Sequence, residues 1–228
     1  MKRQDLLFGA VVVAIFLPFF LSEAAYEWYK QFNAAHGMVM SFLKFGILAT
    51  LGEMLGSRIS SGDYLPPKFG MLPRMIVWGL LGMGINMAMI IFSKGTPLFL
   101  EYLGCEGAVE CFNAAGFSLG KLGVALSVSV AMNTIFAPVF MTLHKITDAH
   151  IAECNGSLRA LITPIPMARR FAEINWQAQW GFVFKKTIPL FWYPAHTITF
   201  LLPGEQRVLF AAILGIVLGV LLALTPRR

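Results

Sequence analysis

The chain reads as an all-α membrane protein, a polytopic transmembrane bundle of about six embedded helices with amphipathic helices along the membrane surface. Three observations predict this. Hydrophobic residues make up 57% of the 228 positions and charged residues only 13%, against about 25% in soluble domains. Uncharged apolar runs recur at Leu6 to Ser22, Gln31 to Leu43, Met75 to Ser93, Leu122 to Leu143, Thr187 to Gly204 and Val208 to Pro226. Lys and Arg, finally, crowd into alternate connecting segments. Mean hydropathy is +0.69, more apolar surface than a water-soluble fold of this length can bury.

The first run follows Lys2 and Arg3 and ends at Ser22-Glu23-Ala24, an arrangement like a secretory signal. It is long for a signal core, and Pro18 and Phe19-Phe20 crowd its end, so it is expected to remain as a first span. Glu23 to His36 then sets Tyr26, Trp28, Tyr29 and Phe32 among Glu27, Lys30 and Gln31, the mixture of a helix lying in the interface. Residues 1–37 are therefore expected to form an anchor and interfacial segment, and residues 38–228 the main helical domain.

The second run continues past Lys44 to Gly52 and Glu53. A Lys near the middle of a span costs on the order of 2.5 to 3.5 kcal/mol on insertion scales. Lys44 and Glu53 are nine residues apart, which at about 100° per residue puts them on opposite faces, so each needs its own partner or water. Glu53 reads either as a helix end in the headgroup zone or as an ionisable group at depth. The third run carries Asn86 and the small residues Gly79, Gly82 and Gly84.

The fourth run, Leu122 to Leu143, has twenty-two residues without a charge, enough for roughly 33 Å of helix against a hydrocarbon core of about 30 Å. Inside it Ser129 and Asn133 share one face, and Pro138 removes a backbone donor and favours a kink. Met167 to Lys186 reads as a second surface helix, with Phe171, Ile174, Ala178 and Phe182 beside Arg169, Arg170, Lys185 and Lys186. The fifth run is short and holds Pro189, Pro194 and Pro203, so it is kinked or crosses only partway. Its polar stripe is Tyr193, His196 and Thr199.

With the N-terminus inside, thirteen Lys and Arg fall on inside segments and four on outside ones, Lys44 lying within a span. This distribution follows the positive-inside rule and puts both termini in the cytoplasm. It also accounts for a pI of 9.4 without nucleic acid as a partner. Cys105 and Cys111 share an outside loop, where an oxidising compartment would allow a disulfide. His144, His150 and Cys154 lack a partnering cluster, so no metal and no cofactor is expected. Phosphate loops and hydrolase motifs are absent and the three Asp residues all lie outside the runs, so no catalytic residue is assigned. Gly52-x-x-x-Gly56, Gly116-x-x-x-Gly120 and Gly215-x-x-x-Gly219 offer close-packing faces, for helix pairs within the chain or for a homo-oligomer.

Trp192, Phe200, Pro203 and Arg207, within the string from Phe191 to Arg207, resemble the C-terminal signature of the Mpv-seventeen and peroxisomal-membrane-protein-twenty-two family. That signature runs Trp-Pro-x-x-Gln-x-x-Asn-Phe, then Val-Pro, then Arg four residues after that Pro. Asn133 with Phe136, Ala137 and Pro138 resembles the family's Gln-x-x-Phe-Ala-Pro block, and Gly52-Glu53 sits where the family has Gly-Asp. Tyr193, His196 and Thr199 depart from the signature's Pro, Gln and Asn, and one residue is missing between Phe200 and Pro203. The likeness covers roughly Met38 to Leu224 and leaves the first span as an addition. It implies an integral membrane protein of the mitochondrial inner membrane or peroxisome in eukaryotes, with counterparts elsewhere, regarded as a channel or a contributor to small-solute passage and membrane homeostasis.

The expected setting is a bacterial cytoplasmic membrane, with an organellar membrane second. The leading functional expectation is a channel or pore-like protein whose partners are the lipid bilayer and a small solute or ion. Asn133, His196, Thr199 and Ser129 would line the path, with Glu53, Arg207 and Lys44 as further contacts. Two alternatives belong to other classes. A non-transporting scaffold would have an interior packed shut, with Asn133 and His196 bonded to neighbouring helices. An intramembrane enzyme would bring Cys154 or Tyr193 against a His.

Overall fold

The computed structural model describes residues 3–224, so Lys2, Arg227 and Arg228 of the charge tally and the last two residues of the sixth run lie outside the described residues. The described residues are helical and contain no strand. They fall into two compact units, Met1–Met40 and Ser41–Arg228.

In the first unit, α1 (Arg3–Leu21) has no buried residue, as expected of an apolar helix whose solvent is lipid. The Ser22 hydroxyl accepts from the Ala25 amide at 3.2 Å and caps α2 (Glu23–Ala35). Cap and apolar–polar alternation together explain why the interfacial segment is helical. The division between units falls inside α3 (Gly37–Ser61).

The second unit continues with α4 (Met71–Tyr102), α5 (Ala108–Asn113), α6 (Leu119–Ile135) and α7 (Ala137–Glu153). After a short 3-10 turn at Leu158–Leu161 come α8 (Met167–Glu173), α9 (Trp176–Ala178), a π-helix (Gln179–Trp192), α10 (Tyr193–Leu201) and α11 (Gly204–Leu224). The helices α1, α3 and α4 are long and apolar enough to cross a membrane, and α6 with α7 would make a fourth crossing, bent by 44°.

The fourth uncharged run therefore is not one straight helix. It breaks at Phe136, and Pro138 occupies the first turn of α7, where its missing amide leaves no bond unmade. The helix then continues to Glu153, past Lys145 and Asp148. The expected surface helix Met167 to Lys186 is also interrupted. It breaks after Glu173, and the Asn175 side chain caps a new start by accepting from the Ala178 amide at 3.0 Å.

Pro189 lies within the π-helix; it cannot donate to a carbonyl behind it, and π adjustments are one way to accommodate such a break in an apolar helix. At the end of the element the Tyr193 amide bonds the Ile188 carbonyl, five residues back.

Small residues let the backbones of α3 and α4 approach. A Cβ on Gly79 would lie 2.5 Å from the Phe42 ring, one on Gly82 2.4 Å from Phe45 Cβ, and one on Gly46 2.8 Å from the Met75 carbonyl. Of the glycine pairs noted in the sequence, Gly52 packs on Ile216 of α11 and Gly120 on Cys111, whereas Gly84 and Gly215 meet nothing within 4 Å. The side chain position of Gly219 lies outside the described residues. Helices α6 and α10 form the most extensive contact, with Ala125, Val128 and Phe200 fully enclosed.

Candidate functional site

The helices of the second unit border a cavity of about 350 Å³ that is open to the surface on one side. Its walls are mostly apolar, with Phe45 from α3, Trp78 from α4, Met132 from α6, Phe140 from α7 and Trp192 from the π-helix. Its polar lining is sparse: Glu53, Asn133, His144, Lys145, Gln179, Thr187 and His196. Asn133 and His196 thus share a cavity although 63 positions separate them in the chain.

Asn133 is only 2% exposed, and its amide donates to the Ser129 carbonyl at 2.8 Å, within its own helix. His196 stacks on the Trp192 indole, ring centroids 5.0 Å apart at 17°. The imidazole Nδ1 of His196 and the indole Nε1 of Trp192 are buried without a hydrogen-bond partner among the described residues.

Other residues expected along a path bond to backbone carbonyls or are packed away from the cavity. The Ser129 hydroxyl donates to the Tyr193 carbonyl at 2.8 Å, joining α6 to α10. Thr199 is fully enclosed and donates back to the Ala195 carbonyl at 3.0 Å. Arg207 donates to the carbonyls of Leu202 at 3.0 Å and Phe200 at 3.1 Å. It thereby satisfies the C-terminal end of α10, and it stands over the rings of Phe112 and Phe200. Lys44 is buried in α3 and is not among the lining residues. Of the motif residues, Phe136, Ala137 and Trp192 line the cavity, Pro138 sits at the α6–α7 bend, Phe200 is core, and Pro203 lies between α10 and α11.

Two of the lining residues, Glu53 and His144, belong to a charged quartet. Glu53 lines the cavity, and α3 continues beyond it to Ser61. Its carboxylate takes the Arg74 guanidinium through Oε2, and His144 Nε2 lies 2.9 Å from Oε1. Arg74 Nη1 also holds Asp148 Oδ1 at 2.6 Å, and His144 approaches Asp148 Oδ2 at 3.6 Å. Because an ionised carboxylate only accepts, His144 Nε2 is the donor to Glu53. Arg74 is fixed further by the Phe69 carbonyl at 2.6 Å and by the Phe69 ring beneath its guanidinium. Trp78 packs on the His144 ring at 4.4 Å. Three helices are thus pinned together by two carboxylates, a guanidinium and an imidazole.

Charge-free runs single out Glu53 but pass over its partners. Arg74 precedes the third run, and His144 and Asp148 follow the fourth, so all three read as loop residues. The spacing of His144 and Asp148, four apart and hence on one helix face, was the signal available.

Glu53, His144 and Asp148 each offer a ligand atom within 4.8 Å of the others. Arg74 already donates to both carboxylates, so these residues form an ion-pair network and an added cation would have to displace the guanidinium. Cys154 Sγ lies 3.9 Å from His150 Nε2, and neither residue lines the cavity. His150 Nε2 faces the Thr163 carbonyl at 3.2 Å and so carries the proton, which leaves it unable to take one from the thiol. Cys105, Cys111 and Cys154 are all free.

No family model, curated protein or solved structure matches this chain; the cavity and the quartet that supplies two of its lining residues carry the functional reading.

Proposed function

We propose that this is an integral membrane protein that passes small solutes, a channel-like bundle whose conducting space is the cavity between α3, α4, α6, α7, the π-helix and α10. The observation that carries the reading is that cavity. Residues far apart in sequence, Glu53, Asn133, His144 and His196, line one cavity, and polar or ionisable groups at membrane depth ordinarily face an interior path. In this reading the Glu53–Arg74–His144–Asp148 quartet is the closure at one end, and a path opens when the ion pairs separate.

The proposal takes all six runs as membrane-embedded and both termini on one side of a bacterial cytoplasmic membrane. Membership in the Mpv-seventeen-like family is part of the same proposal, and it is favoured by motif residues that fall on the cavity wall and on the α6–α7 bend. An interior packed shut, as a pure scaffold requires, is at odds with a cavity of about 350 Å³. Asn133 bonding within its own helix is the observation that favours the scaffold instead.

Purified protein in liposomes tests the reading. Release of entrapped small solutes above that of empty vesicles is expected, altered by His196→Ala and raised by Arg74→Gln. Leak equal to empty vesicles for wild type and both variants abandons it.

A further inference from the structure

We propose, resting on the solute-passing reading above, that the cavity takes a single-chain anionic amphiphile, a fatty carboxylate. Its head is met at the mouth by Lys145, with the Gln179 carboxamide as a second donor, and its chain lies against the aromatic wall.

Of the lining residues only Lys145 and Phe182 are exposed. One belongs to α7 and the other to the π-helix, so the mouth lies between these elements. Arg169 and Arg170 of α8 pair with Glu153 at the far end of α7, and the π-helix begins shortly after α8. The start of the π-helix and the second half of α7 therefore share one end of the bundle, which puts Gln179 toward the same end of the cavity as Lys145.

Charge selects the head. Lys145 lines the cavity and forms no ion pair with any described residue, whereas the lining carboxylate of Glu53 is already held by Arg74 and His144. Lys185 and Lys186 stand exposed on the π-helix, whose fourteen residues include no acid. A Lys stem lies along an apolar wall while its ammonium stays in wetter surroundings, and there it attracts an anionic head at the membrane surface.

Gln179 adds an independent observation. It is 6% exposed and lines the cavity, yet its carboxamide bonds to no described residue. Its nitrogen and oxygen are not among the buried polar atoms sealed from solvent, so the surface they keep opens on the cavity. The amide offers two N–H donors, and a carboxylate accepts them.

The remaining wall selects the tail. Phe45, Phe136, Phe140 and Val183 would force a small hydrated anion to shed water with nothing to replace it. A hydrocarbon chain gains from the same burial. A volume of about 350 Å³ is near the lower bound of small-molecule sites, room for one chain and not for the two of a phospholipid.

The test uses the full chain in nanodiscs of zwitterionic phospholipid at about pH 9, where a carboxylic acid is ionised and Lys is still charged. The probes are radiolabelled decanoate, decanol and decyltrimethylammonium, each referred to empty nanodiscs of the same lipid. Decanoate should bind saturably, near one per chain and about fivefold tighter than decanol, and the cation should not saturate. Lys145→Met should bring decanoate to the level of decanol while decanol binding, unchanged, shows the variant to be folded; Lys145→Arg should keep decanoate binding. Gln179→Leu should weaken decanoate about fivefold. Decanol or the cation binding as tightly as decanoate, or Lys145→Met leaving decanoate unchanged, overturns the proposal. So does loss of saturable decanoate binding once anionic phospholipid is included, which would give the cavity to a bilayer lipid. Saturable decanoate binding without any solute flux would sink the transport reading and leave the site standing. Flux of hydrophilic solutes without a decanoate site would do the reverse.

Discussion

Arg74 holds carboxylates from two other helices, and that double duty makes it the most consequential single side chain of the bundle. Arg74→Met strands Glu53 and Asp148 together in a largely buried setting, and a loss of about 3 kcal/mol is expected, read as a drop in thermal or denaturant stability in detergent. Adding Glu53→Gln and Asp148→Asn to that variant should restore most of the loss, because the uncompensated charges are gone. An Arg74→Met protein as stable as wild type would refute the shared-guanidinium account. Ser129→Ala removes one bond to the Tyr193 carbonyl and should cost only about 0.6 kcal/mol by the same measurement. At this scale the sequence revealed residues that interrupt or sit inside apolar runs: Lys44, Glu53, Asn133 and His196. It could not reveal Arg74 or Asp148, whose partners come from tertiary folding and whose own neighbours in the chain look like loop.

Helices in this protein are shaped by their prolines and admitted to one another by their glycines. Pro138 stands at the 44° bend between α6 and α7. Pro138→Ala is expected to straighten that pair, lengthening the distance between spin labels at Lys121 and Ala149 by roughly 3 Å from the geometry of a 1.5 Å rise. An unchanged distance would mean that packing sets the bend. Gly82 faces Phe45 at a separation that admits no methyl, so Gly82→Ala should destabilise the α3–α4 pair by about 1 to 3 kcal/mol, whereas Gly84→Ala, with open space around it, should be close to neutral. Denaturant melts of the two variants side by side check both statements. The existence and order of these elements were readable from hydropathy and the turn residues. The bend was readable from Pro138, but the extension of α7 to Glu153 was not, because a hydropathy scan stops at the first charge while a helix does not.

For the molecule as a whole, the number of crossings is the quantity that organises everything else. Cys105 follows α4 and Cys154 follows α7, with the bent α6–α7 pair between them. A membrane-impermeant maleimide applied to sealed vesicles of one orientation should therefore modify Cys105 from one side and Cys154 from the other; modification of both from the same side would remove that crossing. The all-α character and the helices long and apolar enough to cross a membrane were legible because long uncharged apolar runs announce them. The cavity was not, since no run of sequence states how much space its packed neighbours leave. One wall of that cavity is unlike the rest: Gln179 to Trp192 is wound as a π-helix, a form seldom longer than a single turn. Its amides are expected to exchange with solvent deuterium faster than those of α10. A coil that fits more residues into each turn than its neighbours holds slack, and drawing in that slack would rotate Phe182 and Thr187 along the cavity wall while α10 keeps its register. That wall is then built like a winch.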